Sequence, residues 1–153
     1  HKASDFLNEF AEIYRYVLHS TDKELVTIAQ EIDFAQQYFN LIQHKYGNAY
    51  QLTVESENES GFIVPLTLQL LIENAVQHNL GTDENPVFIK ITIGKNITVV
   101  NNINLKRNKK ATSGRALKNL KEQYQLLSDI PIEIHQDDTA FSLHLPIILK
   151  QSK

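Results

Sequence analysis

Apolar positions recur at helical spacing over the first part of the chain, where Phe6, Leu7, Phe10, Ile13, Tyr14 and Val17 mark a helix expected over residues 3–19 with Ser4 as its N-cap. A second helix is expected from Ile28 to Tyr46, carrying Ile32, Phe34, Ala35, Tyr38, Phe39, Leu41 and Ile42, with Gly47 closing it. The period then falls to two at Gln51 to Glu55, a strand, followed by a polar loop that ends at Gly61. Helical spacing returns in Pro65 to Leu80, with Pro65 suited to the first turn. Val87 to Ile93 and Ile97 to Val100 read as strands joined by a hairpin at Gly94-Lys95-Asn96. A helix over Arg115 to Leu127 follows, and two alternating runs, Ile132 to His135 and Phe141 to Ile147, flank an Asp137-Asp138 turn. This order predicts an α+β fold: a two-layer α/β sandwich with a mixed, mostly antiparallel sheet, preceded by a helix.

The segment PLTLQLLIENAVQHNL carries the most chemistry. At about 100° per residue, Leu68, Leu71, Ile72, Ala75 and Val76 gather on one side of its helix, and Glu73, Asn74, Gln77 and His78 on the other. A carboxylate among amides and an imidazole suits an anionic, metal-bound ligand, whereas the plainer reading is an ordinary amphipathic helix. Composition narrows the classes. With no cysteine, disulfides and zinc-thiolate sites are excluded, which fits a reducing, cytoplasmic setting. A net charge of −3 gives no basic footprint for nucleic acid, and no apolar run is long enough to cross a membrane. A chain that starts at His1 and lacks methionine is expected to be a piece of a longer protein.

The Glu73-Asn74-Ala75-Val76-Gln77-His78 phrase resembles the N-box of the sensor histidine kinase ATP-binding domain, in its LytS/YehU-like branch. Other pieces follow in the order of that branch: Tyr14 to Leu18, Glu24 to Thr27, Glu31, His44 to Gly47, Val99 to Asn102, Ser113 to Leu120 and Leu145-Pro146. The resemblance implies that residues 1–22 form the second helix of a dimerisation and phosphotransfer region and residues 23–153 the ATP-binding catalytic domain. It implies ATP and Mg2+ as cofactors, with Asn74 holding the magnesium, whose preference for oxygen ligands an amide carbonyl, waters and phosphates satisfy. Glu73 would polarise the reacting imidazole or orient the metal, or else form a surface ion pair. His78 would lie near phosphate or ribose, or else bond at the sheet edge. Gln77, Asn101, Asn102, Lys106, Arg107, Gly114, Leu117 and Asn119 complete the implied ATP contacts. Lys106 to Ser113 would be a lid over the nucleotide, or a solvated charged loop.

The same resemblance implies transfer of the ATP γ-phosphoryl to a histidine upstream of these residues, relay to a response regulator, and a homodimeric parent in the cytoplasmic membrane. These residues themselves would lie in the cytoplasm and touch neither membrane nor nucleic acid. Several positions depart from the family pattern. Leu70 stands where relatives carry Glu or Asn, and Gln77 where a lysine is usual. Asn101-Asn102-Ile103-Asn104-Leu105 replaces a D-x-G-x-G run, so the base would meet an amide acceptor in place of a charge. Ala116 replaces the second glycine of G-x-G-L-x-N, while Gly114, Leu117 and Asn119 persist. The K-E-Q-Y run ending in Tyr124 reads as packing. Two other outcomes follow from the departures: a degenerate kinase-like domain serving dimerisation or partner docking, or an unrelated ATPase or anti-sigma-type kinase of the same fold.

Overall fold

A computed structural model describes residues 2–57, 59–104 and 115–149. Helix α1 spans Lys2–Ser20, so Ser4 lies inside its first turn and not at an N-cap. Helix α2, Ile28–Tyr46, begins at a capping box. There the Thr27 hydroxyl accepts from the Gln30 backbone amide at 3.1 Å, and the Gln30 side-chain Oε1 accepts from the Thr27 backbone amide at 3.0 Å. Gly47 ends the helix at φ +60°, and a 3-10 turn over Gly47–Ala49 leads to the sheet.

The two-residue strands β1 (Val26–Thr27) and β3 (Phe62–Ile63) pair antiparallel outside the main sheet. The main sheet contains β2 (Tyr50–Ser56), β4 (Val87–Ile93), β5 (Asn96–Asn102), β6 (Glu133–Gln136) and β7 (Ala140–Pro146) in the order β2-β4-β5-β7-β6. Among the described residues only β2 and β4 pair in parallel, and the crossover between them carries α3, Thr67–His78. Helix α4, Arg115–Leu127, joins β5 to β6. The sheet is therefore mixed and mostly antiparallel, as the alternating runs imply.

Alternation in β4 and β5 sorts the two faces. Val87, Ile89, Ile91, Ile93, Ile97 and Val99 point inward and are buried, whereas Phe88, Lys90 and Thr92 point outward and are exposed. Leu68, Leu71 and Ile72 of α3 and Leu120 and Tyr124 of α4 join that inner face in one apolar core. The stacking of Tyr16 on Phe34, ring centres 4.2 Å apart, fixes α1 against α2. Leu7, Phe10, Tyr14 and Leu18 on α1 remain exposed.

Pro65 is not in the first turn of α3. It precedes the helix by two residues, and Leu66, the N-cap, adopts φ +68° and ψ 13°, a left-handed conformation unusual for leucine. A side chain from α2 explains how that conformation is held.

Candidate functional site

The start of α3 lacks a side-chain cap of its own. Glu31, fully buried on α2, supplies one: its carboxylate accepts from the Leu66 amide at 3.0 Å and the Leu68 amide at 3.3 Å. The Tyr16 hydroxyl donates to the same carboxylate at 2.7 Å. A carboxylate suits this place because helix N-terminal amides are unpaired donors at the positive end of the helix dipole. Burial pushes the Glu31 carboxyl up from its ordinary range, and the bonds from Tyr16 and the α3 amides pull it partly back. The α4 side closes the arrangement. The Thr67 hydroxyl donates to the Val64 carbonyl at 2.6 Å, so the Tyr124 hydroxyl, 3.1 Å away, serves as donor to Thr67 while accepting from the Val64 amide at 3.2 Å.

From that anchored start, α3 runs on through its polar residues Glu73, Asn74, Gln77 and His78. Glu73 faces α2: its carboxylate accepts from Gln69 at 2.6 Å, Gln77 at 3.1 Å and the Tyr38 hydroxyl at 3.4 Å. Burial pushes the Tyr38 phenol up, and the Glu73 carboxylate adds to that, keeping the phenol protonated as donor. Asn74 and His78 are half-buried and Gln77 is exposed. Glu73 and Gln77 are thus tied to each other, one helical turn apart.

The C-terminal end of α3 is fastened to the chain that leaves β5. The buried Asn79 donates through its amide nitrogen to the Ala75 carbonyl at 2.9 Å and accepts from the Asn104 amide at 2.8 Å. Leu80 donates to the Asn104 carbonyl at 2.7 Å, and Tyr50 donates to the Asn79 carbonyl at 2.8 Å. Gly81 allows this close approach, because a Cβ there would lie 2.0 Å from the Ala49 carbonyl oxygen. Asn101 projects from β5 onto the inner face, a buried amide in line with Ile97 and Val99, with its nitrogen donating to the Asn102 carbonyl at 2.9 Å.

Asn102 is placed apart from these groups. Its side chain lies on the open face of the sheet, accepting from the Phe88 amide at 2.6 Å and donating to the Pro86 carbonyl at 3.1 Å. On the α4 side, Leu117 is half-buried against the core and Asn119 is exposed. Asn119 and Ala116 line a cleft of about 650 Å³ between α3 and α4, which Gln69 and Leu70 line from the other side. Two departures from the family pattern, Leu70 and Ala116, therefore face one space. Lys106, Arg107 and Gly114, with the rest of the expected lid, lie outside the described residues. Among the described residues no cluster of three or more His, Cys, Asp or Glu could hold a metal ion.

Sequence reasoning singled out the α3 stripe and Asn101 but not Asn79, whose signal is weak because a helix-terminal asparagine reads equally well as an ordinary C-terminal residue. Glu31 stood only as a matching position. Its spacing on α2 places it among the buried residues Ile28, Ile32 and Ala35, and a carboxylate on an apolar face is the signal that identifies a buried polar role.

The histidine kinase family model matches residues 1–50. The sensor protein LytS of Bacillus cereus is 32% identical over 79 residues, half of this chain and 13% of that protein. The sensor protein kinase HptS of Staphylococcus aureus is 26% identical over 95 residues, 61% of this chain and 18% of that protein. The chain thus spans less than a fifth of the length of these curated relatives. In fold it is similar to the cytoplasmic segment of histidine kinase QseC, with a TM-score of 0.53 at 15% identity, covering 95% of this chain and 92% of that one. It is also similar to the catalytic domain of histidine kinase ThkA, with a TM-score of 0.55 at 15% identity, covering 81% and 98%.

Proposed function

The chain is a relative of the LytS-type sensor histidine kinases that carries the histidine kinase catalytic fold, and from that premise we propose that it binds MgATP between α3, the inner end of β5 and the start of α4. The observation that carries this reading is the fastening of α3 to the chain after β5 by Asn79, Leu80 and Asn104. It ties the end of the helix that carries Asn74 to the chain that follows Asn101 and β5, which supports a site shared by the two. Asn101 would accept from the adenine amino group, and Asn74 would supply an oxygen to magnesium. The metal, when bound, neutralises phosphate charge and orients the terminal phosphoryl group.

Glu73, held by Gln69, Gln77 and Tyr38, would polarise an incoming imidazole or orient the metal. His78, Gln77, Leu117 and Asn119 would border the phosphates and ribose, and Lys106, Arg107 and Gly114 would close over them. Asn102 would act through the strand clamp it makes with β4. The reaction breaks the bond from the γ-phosphorus to its bridging oxygen and forms a phosphorus–nitrogen bond to a histidine of a longer, dimeric, membrane-anchored kinase, from which a response regulator takes the phosphoryl group. Among the described residues no helix is long and apolar enough to cross a membrane.

A second reading, a kinase-like module that has lost nucleotide and serves docking, is favoured by Leu70 and Ala116 lining one cleft. Calorimetric titration with ADP and a non-hydrolysable ATP analogue, with and without magnesium, separates the two. Magnesium-dependent binding in the micromolar to sub-millimolar range, weakened about tenfold or more in Asn74→Ala, is expected. No heat at millimolar nucleotide would leave the docking module as the better account.

A further inference from the structure

We infer that Glu31 is a positioning residue for the proposed nucleotide site and that the Tyr16 hydroxyl makes α1 a part of the same device. The inference rests on the nucleotide-site reading for its functional half. Its structural half rests on the hydrogen bonds around Glu31 alone.

Glu31 is fully buried, and its carboxylate accepts from two other elements: from Tyr16 on α1, and from Leu66 and Leu68 at the start of α3. A buried carboxylate is expensive to keep unless its oxygens are all satisfied, so these bonds stand or fall together. Leu66 adopts a left-handed backbone at φ +68°, which a leucine leaves unless something holds it. The bond from its amide to Glu31 is that restraint. Losing the Tyr16 donor weakens the acceptor's orientation, and the first turn of α3 is the segment that relaxes.

The consequence travels along a rigid element. Asn74 lies seven residues beyond Thr67 on the same helix, about 10 Å along its axis. A change of tilt at the start of α3 therefore moves Asn74 relative to Asn101, which is fixed in β5. Tyr124 ties the same point to α4, through Thr67 and Val64, so α4 shares the anchor. On α1, Tyr16 faces inward against Phe34 while Leu7, Phe10 and Tyr14 face outward and are exposed. Whatever packs on that outer face acts on the helix that carries the Tyr16 donor. Coupling of this kind is reciprocal: if α1 biases the nucleotide site, nucleotide must bias α1 by the same factor.

The test uses the whole chain and three variants, Tyr16→Phe, Glu31→Gln and the control Tyr14→Phe, whose hydroxyl sits on the exposed side. Amide hydrogen exchange is followed with and without ADP and magnesium, and nucleotide affinity is measured by calorimetry. Tyr16→Phe is expected to speed exchange at residues 66–70 severalfold while leaving β4 unchanged, and to weaken ADP binding about fivefold. Wild-type and Tyr14→Phe chains are expected to gain protection on residues 14–20 when ADP binds, and Tyr16→Phe to lose that gain, a readout that a merely structural role would not move. Glu31→Gln, which puts a second donor opposite the α3 amides, should repeat the pattern and serves if the other variant folds poorly. Unchanged exchange at residues 66–70 in both variants overturns the device. Faster exchange there with unchanged ADP affinity overturns the positioning role. A wild-type chain that binds no nucleotide overturns the nucleotide-site reading and with it the positioning role. The link between α1 and α3 is then decided by exchange in the nucleotide-free chains.

Discussion

Asn79 does at the end of α3 what Glu31 does at its start: both are buried polar side chains that tie the helix to another part of the chain. Asn79→Ala removes an acceptor for the Asn104 amide and a donor to the Ala75 carbonyl, leaving buried groups unpaired at a cost of about 1–3 kcal/mol. Chemical denaturation should show that loss, and calorimetry should show weaker nucleotide binding, because the chain after β5 is no longer pinned beside Asn74. An equal stability loss with unaltered affinity would place Asn101 and Asn74 outside one site. Asn102 teaches a different lesson about single residues. Its sequence neighbour Asn101 points to the helices, and strand alternation turns Asn102 to the other face, where Phe88 and Pro86 occupy its amide.

At the scale of elements, α3 is defined by what holds its ends. The folded chain binds the Glu31 proton more tightly than the unfolded chain does, since burial outweighs the bonds from Tyr16 and α3. Tyr124 on α4 also faces this carboxylate and stays protonated, as burial pushes its phenol up. The sign follows: the contribution of Glu31 is fully present below the ordinary carboxylate value of 4.5 and is lost as pH rises through the folded value. Wild type should therefore gain stability relative to Glu31→Gln as pH is lowered from about 7 toward 5, as read from denaturant midpoints. A constant difference across that range would mean that Glu31 is not shifted.

Much of the fold was legible because its long elements keep a strict period. Helix α2 spans the expected residues, and so does α4. The strands β4 and β5 alternate clearly, with β5 running on through Asn101 and Asn102 because β7 pairs with it to Asn102. Strands β1 and β3 are two residues each, too short to show a period. The start of α3 was misplaced for a physical reason: Pro65 is a common first-turn residue, and nothing in the local sequence announces that a distant carboxylate will hold Leu66 left-handed. Glu73 and Asn74 were legible as a polar stripe, but the orientation of Glu73 toward Tyr38 depends on how α2 and α3 pack.

For the whole molecule, one inner face of the sheet carries the apolar core and the candidate site, and α1 lies across α2 with an apolar flank exposed. The similarity to histidine kinase catalytic domains covers most of the chain in fold, while the family model covers the helical part from residue 1 to 50. Nucleotide is proposed to bind between α3, the inner end of β5 and the start of α4. Titrating the isotopically labelled chain with ADP and magnesium, and following amide and asparagine side-chain resonances by NMR, tests it most directly. Shifts concentrated at Asn74, Asn101, Leu117 and the end of α3, and dependent on magnesium, are the expected result. Shifts confined to the open face around Phe88 and Lys90, or none at millimolar nucleotide, would contradict it.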